Sequence, residues 1–306
     1  MKAQTGPLAW LFYMVVRVVF AVMQMFPIDW NLRSARGVAA LWPIFMRRHR
    51  DRAVEALRRS FGQAYPPHQI ERVADRCLES WAMFAVEAIC LPRLIHEANW
   101  PRYIRLKGFR PVLGLMLSGR GVIYVTAHYG SFELSAHLLA ILGFDVVTVM
   151  RPLDNAYLNA YLVQSRRMRG LTMLDKKGAA ASAERILGEG RMLAFAGDQD
   201  AGRKGLFVDF FGRPASTYKS IGLLAMATGC PIVVAYTRRL GHAARYEVGV
   251  QRVIEPHEWE KQQDPLRWIT QTYTSAMEAF VREAPEQYLW IHRRWKSQPR
   301  RPAVKL

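Results

Sequence analysis

The sequence predicts an α/β fold: a mainly parallel central sheet flanked by helices, preceded by an N-terminal membrane helix and a helical prelude. Three observations predict it. From Tyr103 onward short β-rich runs alternate with helical stretches, the pattern of a parallel sheet covered on both faces. Residues 31–91 read as helix throughout, and Leu8 to Phe26 is a 19-residue apolar run broken only by Arg17 and Gln24.

As a helix that first run would be about 28 Å long, close to the roughly 30 Å bilayer core. Arg17 sits at its middle, where a lone spanning helix is penalised by about 2.5 to 3.5 kcal/mol. Arg17, Ala21 and Gln24 share one helical face. The stripe points to a helix lying in the interface, or to one whose polar side packs on protein. The start carries one lysine and no small-x-small cleavage site, which argues against a cleaved signal peptide. Arg33, Arg36, Arg47, Arg48 and Arg50 follow and place the downstream side in the cytoplasm. Residues 1–28 are therefore expected to anchor the chain, and 29–306 to form one domain.

In the prelude a break at Pro66-Pro67 opens a long apolar-faced helix from about His68 to Cys90, which Pro92 is expected to end. The predicted strands are Gly121 to Ala127, Phe144 to Met150, Met192 to Ala196 and Pro231 to Thr237. Tyr246 to Val253 is read as a later edge strand. Helices are predicted near Phe132 to Leu142, Asn155 to Gly170, Ala179 to Glu189 and Tyr218 to Thr228. Function then belongs at the carboxyl ends of the strands, where His128, Arg151 and Asp198 all fall.

Composition narrows the partners. The chain has 43 Lys and Arg against 25 Asp and Glu, a formal net charge of +18, which implies an acidic partner: nucleic acid, an anionic membrane, or an acidic protein or phosphorylated ligand. Cys77, Cys90 and Cys230 are widely spaced and form no CxxC pair, so neither a zinc site nor a disulfide framework is expected.

The most informative segment is Ala127-His128-Tyr-Gly-Ser-Phe-Glu133, which delivers a base and a carboxylate into one turn. On one continuous helix, five residues apart, the two side chains would diverge by roughly 140°. A strand-turn-helix bend, with Ser131 as N-cap, removes that separation. A carboxylate near the imidazole would hold its tautomer and favour the imidazolium. Read alone, the pattern is more often a core histidine and a helix-start acid, so the rest of the chain must decide.

Arg151 directly follows a predicted strand, and its fork suits phosphate or carboxylate, although a loop-capping surface arginine looks the same in sequence. Asp198-Gln199-Asp200 also follows a strand. It could bind a divalent metal holding a nucleotide sugar, orient active-site arginines, or form a structural turn. There is no GxSxG elbow, Walker P-loop, GxGxxG after a strand or HExxH, so a covalent serine mechanism has no support.

His128 to Glu133, Asp198 to Asp200, Lys204 to Thr217, Thr228 to Pro231 and Pro285 to Lys296 occur in this order. Together they resemble the lipid A biosynthesis acyltransferases, part of the wider lysophospholipid acyltransferase superfamily with its HxxxxD/E motif. The resemblance runs from the apolar helix to Lys296. It implies a bacterial inner-membrane enzyme facing the cytoplasm, which moves a fatty acyl chain from acyl-carrier protein to a hydroxyl of an anionic glycolipid. His128 and Glu133 would be the catalytic dyad, with Glu133 orienting the imidazole. Arg151, Asp198, Gln199, Asp200 and Lys204 are the substrate-binding candidates, and no cofactor, metal or nucleic acid is implied. The rivals are an acyltransferase of the same superfamily acting on another glycolipid or lysophospholipid, a metal-dependent glycosyltransferase using Asp198 and Asp200, and a nucleic-acid binder using Arg293, Arg294, Lys296, Arg300 and Arg301 with Trp290 and Trp295.

Overall fold

The computed structural model describes residues 4–150, 152–168 and 170–299, and for 43–44, 150 and 175–181 the backbone alone. Five helices come first: α1 (Pro7–Met25), α2 (Ile28–Ala40), α3 (Trp42–Phe45), α4 (Arg47–Phe61) and α5 (Pro67–Leu94). Strands and helices then alternate through β1 (Ile104–Lys107), α6 (Arg110–Leu117), β2 (Val122–Thr126), α7 (Phe132–Ile141), β3 (Val146–Met150), α8 (Ala156–Arg167), β4 (Leu171–Asp175), α9 (Lys176–Gly188) and β5 (Met192–Ala196). The hairpin β6 (Leu206–Asp209) and β7 (Pro214–Thr217) follows, then α10 (Ser220–Thr228), β8 (Ile232–Arg239), β9 (Tyr246–Ile254), α11 (Pro256–Trp259) and α12 (Pro265–Glu283).

The main sheet has seven strands in the order β1-β9-β8-β2-β5-β3-β4. From β8 to β4 every pair is parallel; β9 runs antiparallel to β8, and β1 pairs parallel with β9. Strand β2 lies at the centre and is buried along its whole length, because both faces are covered. Its side chains alternate between two cores, as strand pleating requires. Ile123 and Val125 join the core built with α9, α10 and α12, and Val122 and Tyr124 join the one built with α7 and the second half of α5.

The predicted α/β class and the mainly parallel sheet stand, with three corrections of detail. Tyr246–Ile254 is interior, not an edge, because β1 covers its outer side. Strands β1 and β4, the β6–β7 hairpin and the long helix α12 escaped the sequence reading; β1, β6 and β7 are four residues each and carry little periodic signal. Pro92 does not stop α5, which continues to Leu94. So close to the helix end, a proline forfeits one backbone bond and leaves the preceding turns intact.

Helix α1 is apolar, bilayer-length and exposed over its outer face. Its polar side turns to the body, as the stripe suggested. The Arg17 guanidinium donates to Tyr13 Oη at 3.0 Å and lies 4.2 Å from the ring centre of Tyr161 on α8. Arg93 donates to Gln24, Asn31 Nδ2 donates to Met23 O at 2.6 Å, and Asn155 Nδ2 donates to Ala9 O at 2.8 Å.

Candidate active site

Strands β2 and β5 are paired in register, Thr126 beside Ala196. Parallel neighbours lie about 4.8 Å apart, so residues two places beyond each end remain opposed. Those residues are His128 and Asp198. Asp198 Oδ1 accepts from His128 Nδ1 at 2.7 Å and Oδ2 accepts from the His128 amide at 3.0 Å, a pair of hydrogen bonds that fixes ring and backbone together. Asp198 is fully buried, whereas the imidazole is 17% exposed. With Nδ1–H donating to the Asp198 carboxylate, Nε2 carries the lone pair toward the opening, where the Gln199 side-chain amide lies at 3.4 Å.

Burial pulls the His128 pKa down, but the charge and hydrogen bond of Asp198, and then the charge of Glu133, outweigh it and leave the imidazole above its ordinary value. For Asp198, burial pushes upward; the charge and bonds of His128, with His292 beside it, hold the carboxyl well below the usual carboxylate range. His292 is held low, chiefly by burial. Its Nε2 stands 3.2 Å from the Asp198 carbonyl oxygen, and its ring centre 6.4 Å from that of His128.

The turn after His128 requires glycine at 130. Gly130 has φ +54°, and a Cβ there would stand 2.0 Å from Thr237 O. The amides of Tyr129, Gly130 and Ser131 donate to Ala127 O, Gln287 O and Thr237 O. Ser131 occupies the expected N-cap position of α7, though its side chain makes no capping bond.

Glu133 is placed differently from the expected direct partner of the imidazole. The expected carboxylate-imidazole bond is made by Asp198, while both Glu133 oxygens accept from Arg166 Nη2 on α8 at 2.7 and 2.8 Å. Glu133 thus acts on His128 through space, and it holds a guanidinium at the mouth. An aromatic wall completes the opening: ring centres of Phe132 and Trp81 lie 5.1 and 6.5 Å from His128, and Phe84 stacks on Phe132 at 4.8 Å.

The other candidates separate. Asp198 sits beneath His128 as its partner, not open to a ligand. Gln199 reaches the mouth. Asp200 accepts from the amides of Gly202 at 2.8 Å and Ser297 at 3.0 Å, the behaviour of a turn-forming aspartate. With Asp198 bound to His128 and Asp200 to backbone, the two carboxylates do not converge on a common point as metal ligands would. Lys204 is exposed, and Arg151 lies outside the described residues. Of the residues that could face nucleic acid, Arg294 and Trp290 are buried, with Arg294 donating to Ser216 O and Thr217 Oγ1; Arg293 and Lys296 are exposed, and Arg300 and Arg301 lie outside the described residues. Sequence reasoning missed Arg166 as the partner of Glu133, and Trp81 and His292 as neighbours of His128. Only His292 carried a signal, since it lies in the block Pro285 to Lys296.

A model of the bacterial lipid A biosynthesis acyltransferase family matches residues 2–297. A lipid A biosynthesis lauroyltransferase of Escherichia coli strain K12 is 24% identical over 299 residues, 96% of this chain and 94% of the relative. A lipid A biosynthesis palmitoleoyltransferase of the same strain is 24% identical over 302 residues, 96% and 93% of the two chains. A lipid A biosynthesis acyltransferase of Haemophilus influenzae is 28% identical over 182 residues, 58% of this chain and 57% of the relative.

Proposed function

The chain belongs to the bacterial lipid A biosynthesis acyltransferase family, and from that premise we propose that it moves a fatty acyl chain from acyl-carrier protein to a hydroxyl of a lipid A precursor, as a late secondary acylation, with His128 as general base. The observation that carries the reading is the His128–Asp198 pair. It fixes the neutral tautomer with the Nε2 lone pair at the opening, where an acceptor hydroxyl would displace the long Gln199 contact and give up its proton. In the step proposed, the acceptor hydroxyl oxygen attacks the thioester carbonyl while its proton passes to Nε2. The tetrahedral intermediate collapses with loss of the thiolate, and the imidazolium returns its proton to that sulfur. No acyl-enzyme forms.

Asp198 stabilises the imidazolium, and Glu133 adds a second, more distant negative charge. The amides of Tyr129 to Ser131 already have acceptors, so the backbone donors proposed for the oxyanion are those of Phe132 and Glu133 in the first turn of α7. The wall of Trp81, Phe84 and Phe132 supplies an apolar surface for the first carbons of the acyl chain. A formal net charge of +18 suits an acidic carrier protein, a phosphorylated acceptor and the cytoplasmic face of the inner membrane. Residues 1–28 serve as the anchor and 29–306 as the catalytic domain.

Mass spectrometry of lipid A from cells with and without the gene tests the proposal. One added acyl group, dependent on His128, is the expected result. Unchanged lipid A, with the acyl group appearing on another lipid, would reassign the acceptor.

A further inference from the structure

The ladder between β2 and β8 ends at Val125 and Val234, and β8 meets the His128 turn again at Thr237, which bridges Gly130 and accepts from the Ser131 amide; the rest of the turn must find its backbone partners elsewhere. It finds them in the segment after α12. The Leu289 amide donates to His128 O at 3.0 Å, and the Gly130 amide donates to Gln287 O at 2.9 Å. Tyr129 and Tyr288 form an antiparallel bridge between the two segments.

One side chain ties this segment to β8. Gln287 Oε1 accepts from the Arg239 amide at 2.8 Å, and Nε2 donates to Arg239 O at 2.9 Å, so a carboxamide satisfies both polar backbone atoms as a neighbouring strand would. Arg239 is held in turn. Its buried guanidinium forks onto Glu87 at 2.5 and 2.7 Å, and Glu87 also accepts from Tyr246 Oη at 2.9 Å. The assembly has little slack, because a Cβ on Gly130 would stand 2.0 Å from Thr237 O and 3.0 Å from Gln287 Oε1.

We propose that Gln287 is a positioning residue for acyl transfer: by joining the end of β8 to the His128 turn, it sets the pose in which the imidazole meets both Asp198 and the acceptor hydroxyl. The inference rests on the reading of His128 as the base. Catalytic geometry tolerates little displacement, and an error of about 1 Å can cost on the order of 10² in rate. Gln287 therefore acts on kcat through His128 without touching substrate.

The test uses purified full-length protein in detergent, with acyl-carrier thioester as donor and lipid A precursor as acceptor. Gln287→Met keeps the shape and removes both side-chain bonds. Its kcat should fall roughly 10- to 100-fold with both KM values nearly unchanged. The rising limb of kcat/KM should also move to lower pH, because a loosened Asp198 contact raises the His128 pKa less; Glu133, Arg166 and His292, the other charged or titrating groups facing His128, are unaltered. Val112→Ala, a core truncation on α6, lowers the melting temperature without moving that limb. If Gln287→Met does not fold, Gln287→Asn keeps an uncharged carboxamide, withdraws it by one methylene from both Arg239 backbone atoms and gives the same comparison. Lower thermal stability with unchanged kcat and an unchanged limb would overturn the proposal. Full activity in His128→Ala would overturn the reading beneath it, whatever Gln287 does.

Discussion

At the scale of single residues the decisive fact is which carboxylate holds His128. Asp198 does so through a direct bond from a fully buried position, and Glu133 contributes charge from further away while gripping Arg166. The two acids should therefore fail differently. Asp198→Asn removes the partner charge and frees the tautomer, and we expect kcat to fall by about 10² to 10⁴, comparable with loss of a general base. The sign of the pH effect follows from the raised His128 pKa. Under the proposed mechanism the base is active only when neutral, so the raised pKa puts the parent's rising limb on the high side of an ordinary histidine's, and removing Asp198 carries it downward. Glu133→Gln should shift the limb less, and its larger effect should fall on whatever Arg166 contacts. Equal shifts in both variants, measured as pH profiles of kcat/KM, would contradict this division. His128 and its place at a strand end were legible in sequence; its partner was not, because 70 residues separate His128 from Asp198 and nothing local pairs their strands.

At the scale of elements, α1 poses the question of depth. Placing Arg17 at the bilayer centre costs about 2.5 to 3.5 kcal/mol, and a ring contact of the kind it makes with Tyr161 returns about 0.5 to 2 kcal/mol. The balance favours α1 seated in the interface with its polar stripe on α8 and its outer face in lipid. Deleting residues 1–28 should leave a protein that salt releases from membranes, since Arg33, Arg47 and Arg48 still attract anionic headgroups at about 1 kcal/mol per charge. The intact chain should need detergent. Sedimentation with membranes at low and high salt decides it, and full release of the intact protein by salt alone would exclude apolar insertion.

For the whole molecule, the excess of basic side chains predicts that docking of an acidic carrier is electrostatic and screened. The Debye length falls from about 10 Å at 0.1 M to about 3 Å at 1 M salt. The KM for acyl-carrier donor should rise several-fold over that range, while kcat at saturation holds. A short uncharged acyl thioester should show little salt dependence of KM. Equal salt sensitivity of the two donors would remove the carrier from the explanation of the charge.

The sequence by itself determined the α/β class, the four central strands, the long helix α5, the apolar N-terminal helix and the His128 turn. These are written in periodicities of two and 3.6 residues and in local turn chemistry, which a single segment displays without its neighbours. Only the tertiary structure decided how those segments meet. The register of β2 with β5 chose Asp198 over Glu133 as the partner of His128, α8 brought Arg166 to Glu133, and the segment after α12 placed Gln287 behind the turn. Strand order and register come from packing two cores at once, and no short stretch of sequence encodes that.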